Sequence, residues 1–318
     1  MRCDSHSDLP FGGGRVDGFL RRLASGGKNR YKRYAGAPIR YAGGKSLAVG
    51  FVMEHFPPNL RKLVSPFIGG GSVEVATAAA LRMPVVAYDV FDVLVNYWEQ
   101  QIRFPADLVR RLDAWEPTKE RYARVKRRLK AHWNGENRME DALELAAHYW
   151  FNHNLSYGPG FLGWMSKIYE EEERYRRLVD KVRHFHCPDL SVAKVDFAES
   201  IPRHKRNFLY CDPPYYLEGD SKMFRGIYPQ RNFPIHHNGF DHALLRDLLR
   251  KHRGGFILSY NDCERIREWY ASFDIVEVKW QYTLGQGETR IGKNRMENGS
   301  FHHVKKSCEI LVIGEQRN

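Results

Sequence analysis

The 318-residue sequence has no apolar run approaching the ~18 residues that span a bilayer, so a membrane protein is not expected. Its first residues, Met1 to Asp8, are polar and lack the apolar stretch of a secretory leader. Cysteine is scarce and scattered: five residues, at positions 3, 187, 211, 263 and 308, with no Cys-x-x-Cys pair. An odd set so spaced excludes a disulfide framework and a four-cysteine zinc site, and fits a reducing, cytoplasmic setting. His184, His186 and Cys187 stand close together, but no second ligand cluster accompanies them, and His236-His237 and His302-His303 are equally isolated. No metal is therefore expected. No internal repeat is visible. Acidic residues are in deficit, 38 against 50 Lys plus Arg, for a formal charge of +12. That excess favours an anionic partner, with nucleic acid ahead of a membrane surface. Hydrophobic residues at 42% and aromatics at 13% supply a sizeable core, which rules out global disorder.

Residues 1–38 combine Gly12, Gly13, Gly14, Gly26 and Gly27 with Arg21, Arg22, Lys28, Arg30, Lys32 and Arg33, and show only a short apolar patch at Phe19, Leu20 and Leu23. They read as a basic, mostly flexible arm. A βαβ pattern follows. Leu63-Val64 lead into a turn with Gly69, Gly70 and Gly71; Val73 to Leu81 reads as a helix; Val85 to Asp89 reads as the next strand. Strand, glycine turn, helix, strand, acid is the layout of a nucleotide-type pocket: glycines let the backbone approach a ligand, and an acid about 20 residues on accepts ribose hydroxyls.

From 96 to 189 the pattern becomes charged, aromatic and mainly helical, with Arg121, Arg124, Lys126, Arg127, Arg128 and Lys130 in one stretch. Trp150 to Phe161 reads as an aromatic, glycine-rich loop between helices. Basic helices beside such a loop suit a nucleic-acid surface, although any single charge run is equally the solvated face of a helix. The α/β pattern then resumes with strand candidates at 192–196, 207–211, 256–260, 273–282 and 307–313, and helices at 240–251 and 262–270. The last two strands have no helix between them and are expected to pair as a hairpin across a long loop.

The sharpest local feature is Asp212-Pro213-Pro214-Tyr215, straight after an apolar strand. Two prolines cannot extend the ladder and fix a rigid turn. At the carboxyl edge of an open parallel sheet, where ligands bind, this turn offers a carboxylate, a proline carbonyl and an aromatic face. A planar exocyclic amine could donate to the first two while its ring stacks on Tyr215.

Three motifs in order carry a resemblance: Arg40-Tyr41-Ala42-Gly43-Gly44-Lys45, then Pro66-Phe67-Ile68-Gly69-Gly70-Gly71-Ser72, then Asp212-Pro213-Pro214-Tyr215. Together they resemble the signature of Dam-type (D12 class) adenine-specific DNA methyltransferases, over roughly residues 39–315. The resemblance implies a doubly wound, Rossmann-like α/β sheet that binds S-adenosylmethionine (AdoMet), built from 39–95 and 190–318, with 96–189 as a helical target-recognition insertion. It also implies roles. Tyr41, where the family usually has Trp, and Lys45 would lie beside AdoMet, Lys45 facing its carboxylate. Phe67, Gly69 and Gly71 would form the cofactor turn, and Asp89 would hold the ribose diol. Asp196 and Phe197 would frame the cofactor's adenine. Asp212, with Pro213 and Pro214, would face the reacting amine, and Tyr215 would stack on a target base flipped out of the helix. Arg121, Arg124, Lys126, Asn152, Arg290, Lys293 and Arg295 are the candidates for nucleic-acid contact, with Lys305 and Lys306 behind them. Duplex DNA is the implied partner, and a cognate restriction endonuclease is a further candidate.

The sequence departs from the family at Ser65, where the best-known members carry an acid. The insertion does not resemble that of GATC-specific members beyond Phe151-Asn152, so GATC specificity is not carried over. Three alternatives stay open at this point: the same chemistry on RNA adenine, on cytosine N4 in DNA, or a catalytically inactive relative that binds nucleic acid.

Overall fold

The computed structural model describes residues 13–27, 30–216, 239–278 and 309–317. Seven strands form one sheet: β1 Leu63–Ser65, β2 Val85–Asp89, β3 Leu190–Lys194, β4 Phe208–Cys211, β5 Gly254–Asn261, β6 Asp274–Val278 and β7 Glu309–Gln316. Their spatial order is β3-β2-β1-β4-β5-β7-β6. β1 to β5 run parallel, and β7 lies antiparallel between β5 and β6. The late hairpin is therefore present, with Val276 opposite Leu311. Every residue of β4 and β5 is buried, as a sheet covered on both faces requires.

Alternation along each strand divides the core in two. Leu63 and Tyr210 point into one hydrophobic cluster, while Val64 and Leu209 point into the other. The smaller cluster is closed by α9 (Phe197–Arg203), α10 (His242–Lys251) and α11 (Glu264–Trp269). The larger is closed by α1 (Gly13–Leu23), α2 (Val49–Met53), α3 (Ser72–Val75), α4 (Asp92–Arg103) and the helices after it. α3 continues into a π-helical turn at Ala76–Ala80, a wider winding that in other proteins often sits near functional sites.

The described part of 1–38 corrects the expectation of a flexible arm. Val16, Phe19 and Leu23, spaced i, i+3, i+7, are buried on one face of α1, and the Arg15 guanidinium donates to the Leu81 carbonyl at 3.3 Å. An isolated bridge joins Ala24 to Tyr31, and Tyr31 packs so closely on Gly50 that a Cβ there would lie 2.4 Å from its ring. The glycines hid an amphipathic helix.

The stretch 96–189 is helical, as expected: most of α4, then α5 (Pro105–Asp113), α6 (Lys119–Trp133), α7 (Ala142–Leu155) and α8 (Glu172–Arg183). Thr118 caps α6 by accepting from Arg121 N at 3.1 Å, and Asp141 caps α7 by accepting from Leu143 N and Glu144 N. α7 is buried all round over its second half, including Trp150, Phe151, Asn152 and Leu155. Residues 150–155, read from sequence as loop, are thus the last turns of a core helix, and the loop proper starts at Ser156. A helix end buried on every side, with Asn152, His153 and Asn154 among its aromatics, carries no apolar-against-polar face to read.

Candidate active site

The strand order reverses between β1 and β4, which pair in parallel with Val64 beside Leu209. Connections leaving these two strands run to opposite faces and open a crevice at their carboxyl ends. β1 runs out into the glycine turn and β4 into Asp212-Pro213-Pro214-Tyr215. The topology therefore brings together two motifs separated by about 140 residues of chain.

The glycines are required by backbone and space. Gly69 and Gly71 have φ of 44° and 65°. A Cβ on Gly71 would come within 2.7 Å of the Trp98 ring, and one on Gly70 within 2.4 Å of Tyr41 Cβ. Trp98 Nε1 donates to the Gly69 carbonyl at 3.0 Å and pins the turn from beneath. Asp89, at the end of β2, accepts from Gly69 N at 3.2 Å and from Phe91 N at 3.0 Å. Burial pushes its carboxyl above the usual range, and these N–H donors oppose that. Tyr41 covers the turn and stacks on His153, with ring centroids 5.4 Å apart.

Lys45 is almost completely buried, and its Nζ lies 2.7 Å from Asp212 Oδ1 and 2.9 Å from Oδ2. A third bond goes to the Gly43 carbonyl at 3.1 Å. The ammonium is thus held by one carboxylate and one backbone carbonyl. The expected pairing of Lys45 with a cofactor carboxylate would need one of these bonds to exchange. Burial raises the Asp212 carboxyl and the Lys45 charge pulls it down; 22% of the side chain remains exposed, so water screens part of both effects. Tyr215 is buried, with Lys45 Nζ 5.0 Å from its ring centre and Tyr260 on another side. Asn261, at the end of β5, donates to the Tyr216 carbonyl at 2.8 Å and holds the turn from the next strand.

Phe67, Phe197 and Phe240 form an aromatic trio, with centroids 5.6, 5.8 and 4.9 Å apart. Phe67 and Phe197 were expected near one ligand; Phe240 joins them from just before α10. Asp196 is exposed and caps α9, accepting from Ala198 N at 2.8 Å.

Sequence reasoning passed over Glu74. It lies on α3 and is buried, and Ser65 Oγ donates to its Oε1 at 2.6 Å. Burial pushes this carboxyl up to about 8; Asp212 adds to the rise, while Lys45 and the Ser65 bond oppose it. A carboxyl raised on folding contributes stability below its unfolded pKa and loses it as pH climbs through the folded value. Ligand-free protein should therefore lose thermal stability as pH rises from about 5 to about 8, and the loss should level off above that. Glu74→Gln should flatten that slope in melting curves; an unchanged slope would place the titration elsewhere.

The loop after α7 leaves beside the crevice. Arg40 N donates to Asn154 Oδ1 at 2.8 Å, and the Arg40 guanidinium bonds the Asn154 carbonyl. A bridge between Ser156 and Met165 closes the loop, which presents Tyr157 at 67% and Trp164 at 77% exposure. Lys126 Nζ sits 4.4 Å from the Trp164 ring centre, and Arg121 lies over Trp115. Arg124 is exposed on α6. Asn152 is the exception among the expected contacts: it is fully buried, and its Oδ1 accepts from Leu162 N at 2.7 Å. It shapes the loop from inside and does not face a ligand. Arg290, Lys293, Arg295, Lys305 and Lys306 lie outside the described residues. Among the described residues no group of His, Cys, Asp or Glu is arranged to hold a metal ion, and no helix is long and apolar enough to cross a membrane.

This sheet order, glycine turn and acid-proline-proline-tyrosine turn define a Rossmann-like methyltransferase. The chain belongs to the D12 class N6 adenine-specific DNA methyltransferase family, whose model matches residues 41–284. It is similar to the DNA adenine methylases of two O1 strains of Vibrio cholerae, one classical Ogawa and one El Tor Inaba. Each is 25% identical over 281 residues, covering 81% of this chain and 92% of the relative.

Proposed function

We propose that the chain transfers a methyl group from S-adenosylmethionine to N6 of an adenine flipped out of duplex DNA. The observation that carries the reading is the two-point Lys45–Asp212 pair at the β1/β4 crevice, set between the glycine turn and the proline turn. The residues present suit the cofactor. Gly43 has open space where a Cβ would stand, Asp89 keeps lone pairs for a ribose diol, and the Phe67, Phe197 and Phe240 rings form an apolar cluster on which an adenine could pack. When bound, that cofactor supplies a methyl group activated on a sulfonium sulfur.

The protein's part is to prepare the nucleophile. The lone pair of an adenine amine is delocalised into its ring. An acceptor on each of its two hydrogens favours a pyramidal nitrogen with the lone pair freed. Asp212 and the Pro213 carbonyl are held in one rigid turn to do this. Lys45 opposes the rise that burial imposes on the Asp212 carboxyl and so favours the carboxylate, which is an acceptor only. Positioning and electrostatics supply the acceleration. Tyr215 would turn from beneath Lys45 to meet the base. Lys126, Trp164, Tyr157, Arg121 and Arg124 form the candidate duplex surface beside the crevice, combining phosphate attraction with stacking. The paired amine is unreachable inside a duplex, so the base must leave the stack.

The test is transfer of labelled methyl from AdoMet by purified protein to a duplex DNA and to an RNA of the same sequence, followed by nucleoside analysis. N6-methyldeoxyadenosine from DNA alone is the expected product. N4-methylcytosine, or methylated RNA alone, would overturn the substrate assignment.

A further inference from the structure

Ser65 occupies the end of β1, where the Dam-type pattern has an acid, and its hydroxyl cannot replace a charge. That hydroxyl donates to the carboxyl of Glu74, nine residues on and in the first turn of the helix that the glycine loop starts. Both side chains are buried, at 0% and 2% exposure. The two charged groups that act on Glu74 are Lys45, from the loop before α2, and Asp212, at the end of β4; the neutral Ser65 comes from β1. Lys45 and Asp212 are thus the charged groups of the crevice that act on Glu74, while Asp89 stands apart at the glycine turn. Lys45 is already committed to Asp212 at both oxygens, and among the described residues no other cation acts on Glu74. A buried carboxyl in that position stays protonated until a positive charge arrives.

We propose that Glu74 takes the place of the acid absent at Ser65, becoming the anionic partner of the cationic cofactor and giving up its proton to solvent when the cofactor binds. The proposal rests on the AdoMet reading above. AdoMet carries an ammonium, a sulfonium and one carboxylate, so it enters with a net positive charge. Glu74 goes from carboxyl to carboxylate, one proton leaves to buffer, and the new carboxylate offsets the cofactor's net positive charge. Ser65 donates to the carboxylate throughout and keeps it aimed at the end of β1. Because the bound form carries fewer protons than the free form, affinity should rise with pH through the range in which free Glu74 is protonated, up to about 8.

The experiment is calorimetric titration of the full chain with AdoMet at pH 7, in phosphate and in Tris, whose ionisation heats differ. The apparent enthalpy should differ between buffers by an amount corresponding to release of most of one proton per AdoMet. Glu74→Gln keeps the size and the Ser65 contact. It should bind roughly tenfold or more weakly and lose the buffer dependence. Adding Ser65→Asp to Glu74→Gln should recover affinity by restoring an acid at the end of β1. Wild-type binding with the same enthalpy in both buffers would overturn the proposal without any variant, and leave the AdoMet reading intact. Proton release persisting in Glu74→Gln would assign it to another group. No heat from wild type in either buffer would overturn the AdoMet reading and this proposal with it.

Discussion

Replacing Asp212 with Ala is expected to reduce methyl transfer by roughly a thousandfold or more, while duplex DNA affinity stays within a few-fold of wild type. The size follows from what one carboxylate does in two places. It accepts from the reacting amine at the moment the lone pair is needed, an electrostatic contribution of the kind worth about two to three powers of ten. It is also the partner of buried Lys45, whose ammonium would lose the carboxylate that balances its charge. The DNA term should be small because the substitution leaves the exposed cations and aromatics near Lys126 and Trp164 unchanged. Turnover and filter-binding measurements on one preparation separate the two. A variant with near wild-type turnover would remove Asp212 from the chemistry.

Lys45→Met is the second large effect, and it should appear in stability as well as activity. Methionine fills the same buried volume without charge, so Asp212 keeps its desolvation and loses its counter-ion. Removing one partner of a buried pair costs about 3 kcal/mol or more, and the residual exposure of Asp212 places this case at the lower end. The Asp212 carboxyl would then titrate higher still, and the loss should grow as pH rises through its new folded value. Adding Asp212→Asn should restore most of the melting temperature and none of the activity. Recovery of both would mean that the pair is structural.

How far the molecule was legible in advance depended on what kind of constraint each residue obeys. The glycine turn and the Asp212-Pro213-Pro214-Tyr215 turn announce themselves because backbone geometry permits few substitutes. The strands of the sheet were visible as apolar runs: β2 at its observed bounds, and β3, β4, β5 and β7 with ends off by up to three residues. α1 was hidden because glycines and arginines surround Val16, Phe19 and Leu23, and three apolar residues do not outweigh them in a window. Asn152 looked like a surface contact because amides usually are, yet it is consumed by the Leu162 N–H in the core. Glu74 carried no signal at all: one acid in an Ala- and Val-rich helix gives no spacing to read, and only the fold puts it against Ser65. The Lys45–Asp212 contact joins residues 167 apart, which no local pattern encodes.

The central claim is that this crevice methylates adenine in DNA. The most direct measurement is single-molecule sequencing of plasmid from a methylation-deficient bacterial host expressing the chain, beside the same host expressing Asp212→Ala. The account predicts N6-methyladenine at a fixed short sequence context in the first plasmid and none in the second. An unmodified plasmid, recovered from cells holding folded protein that still binds AdoMet, would contradict it.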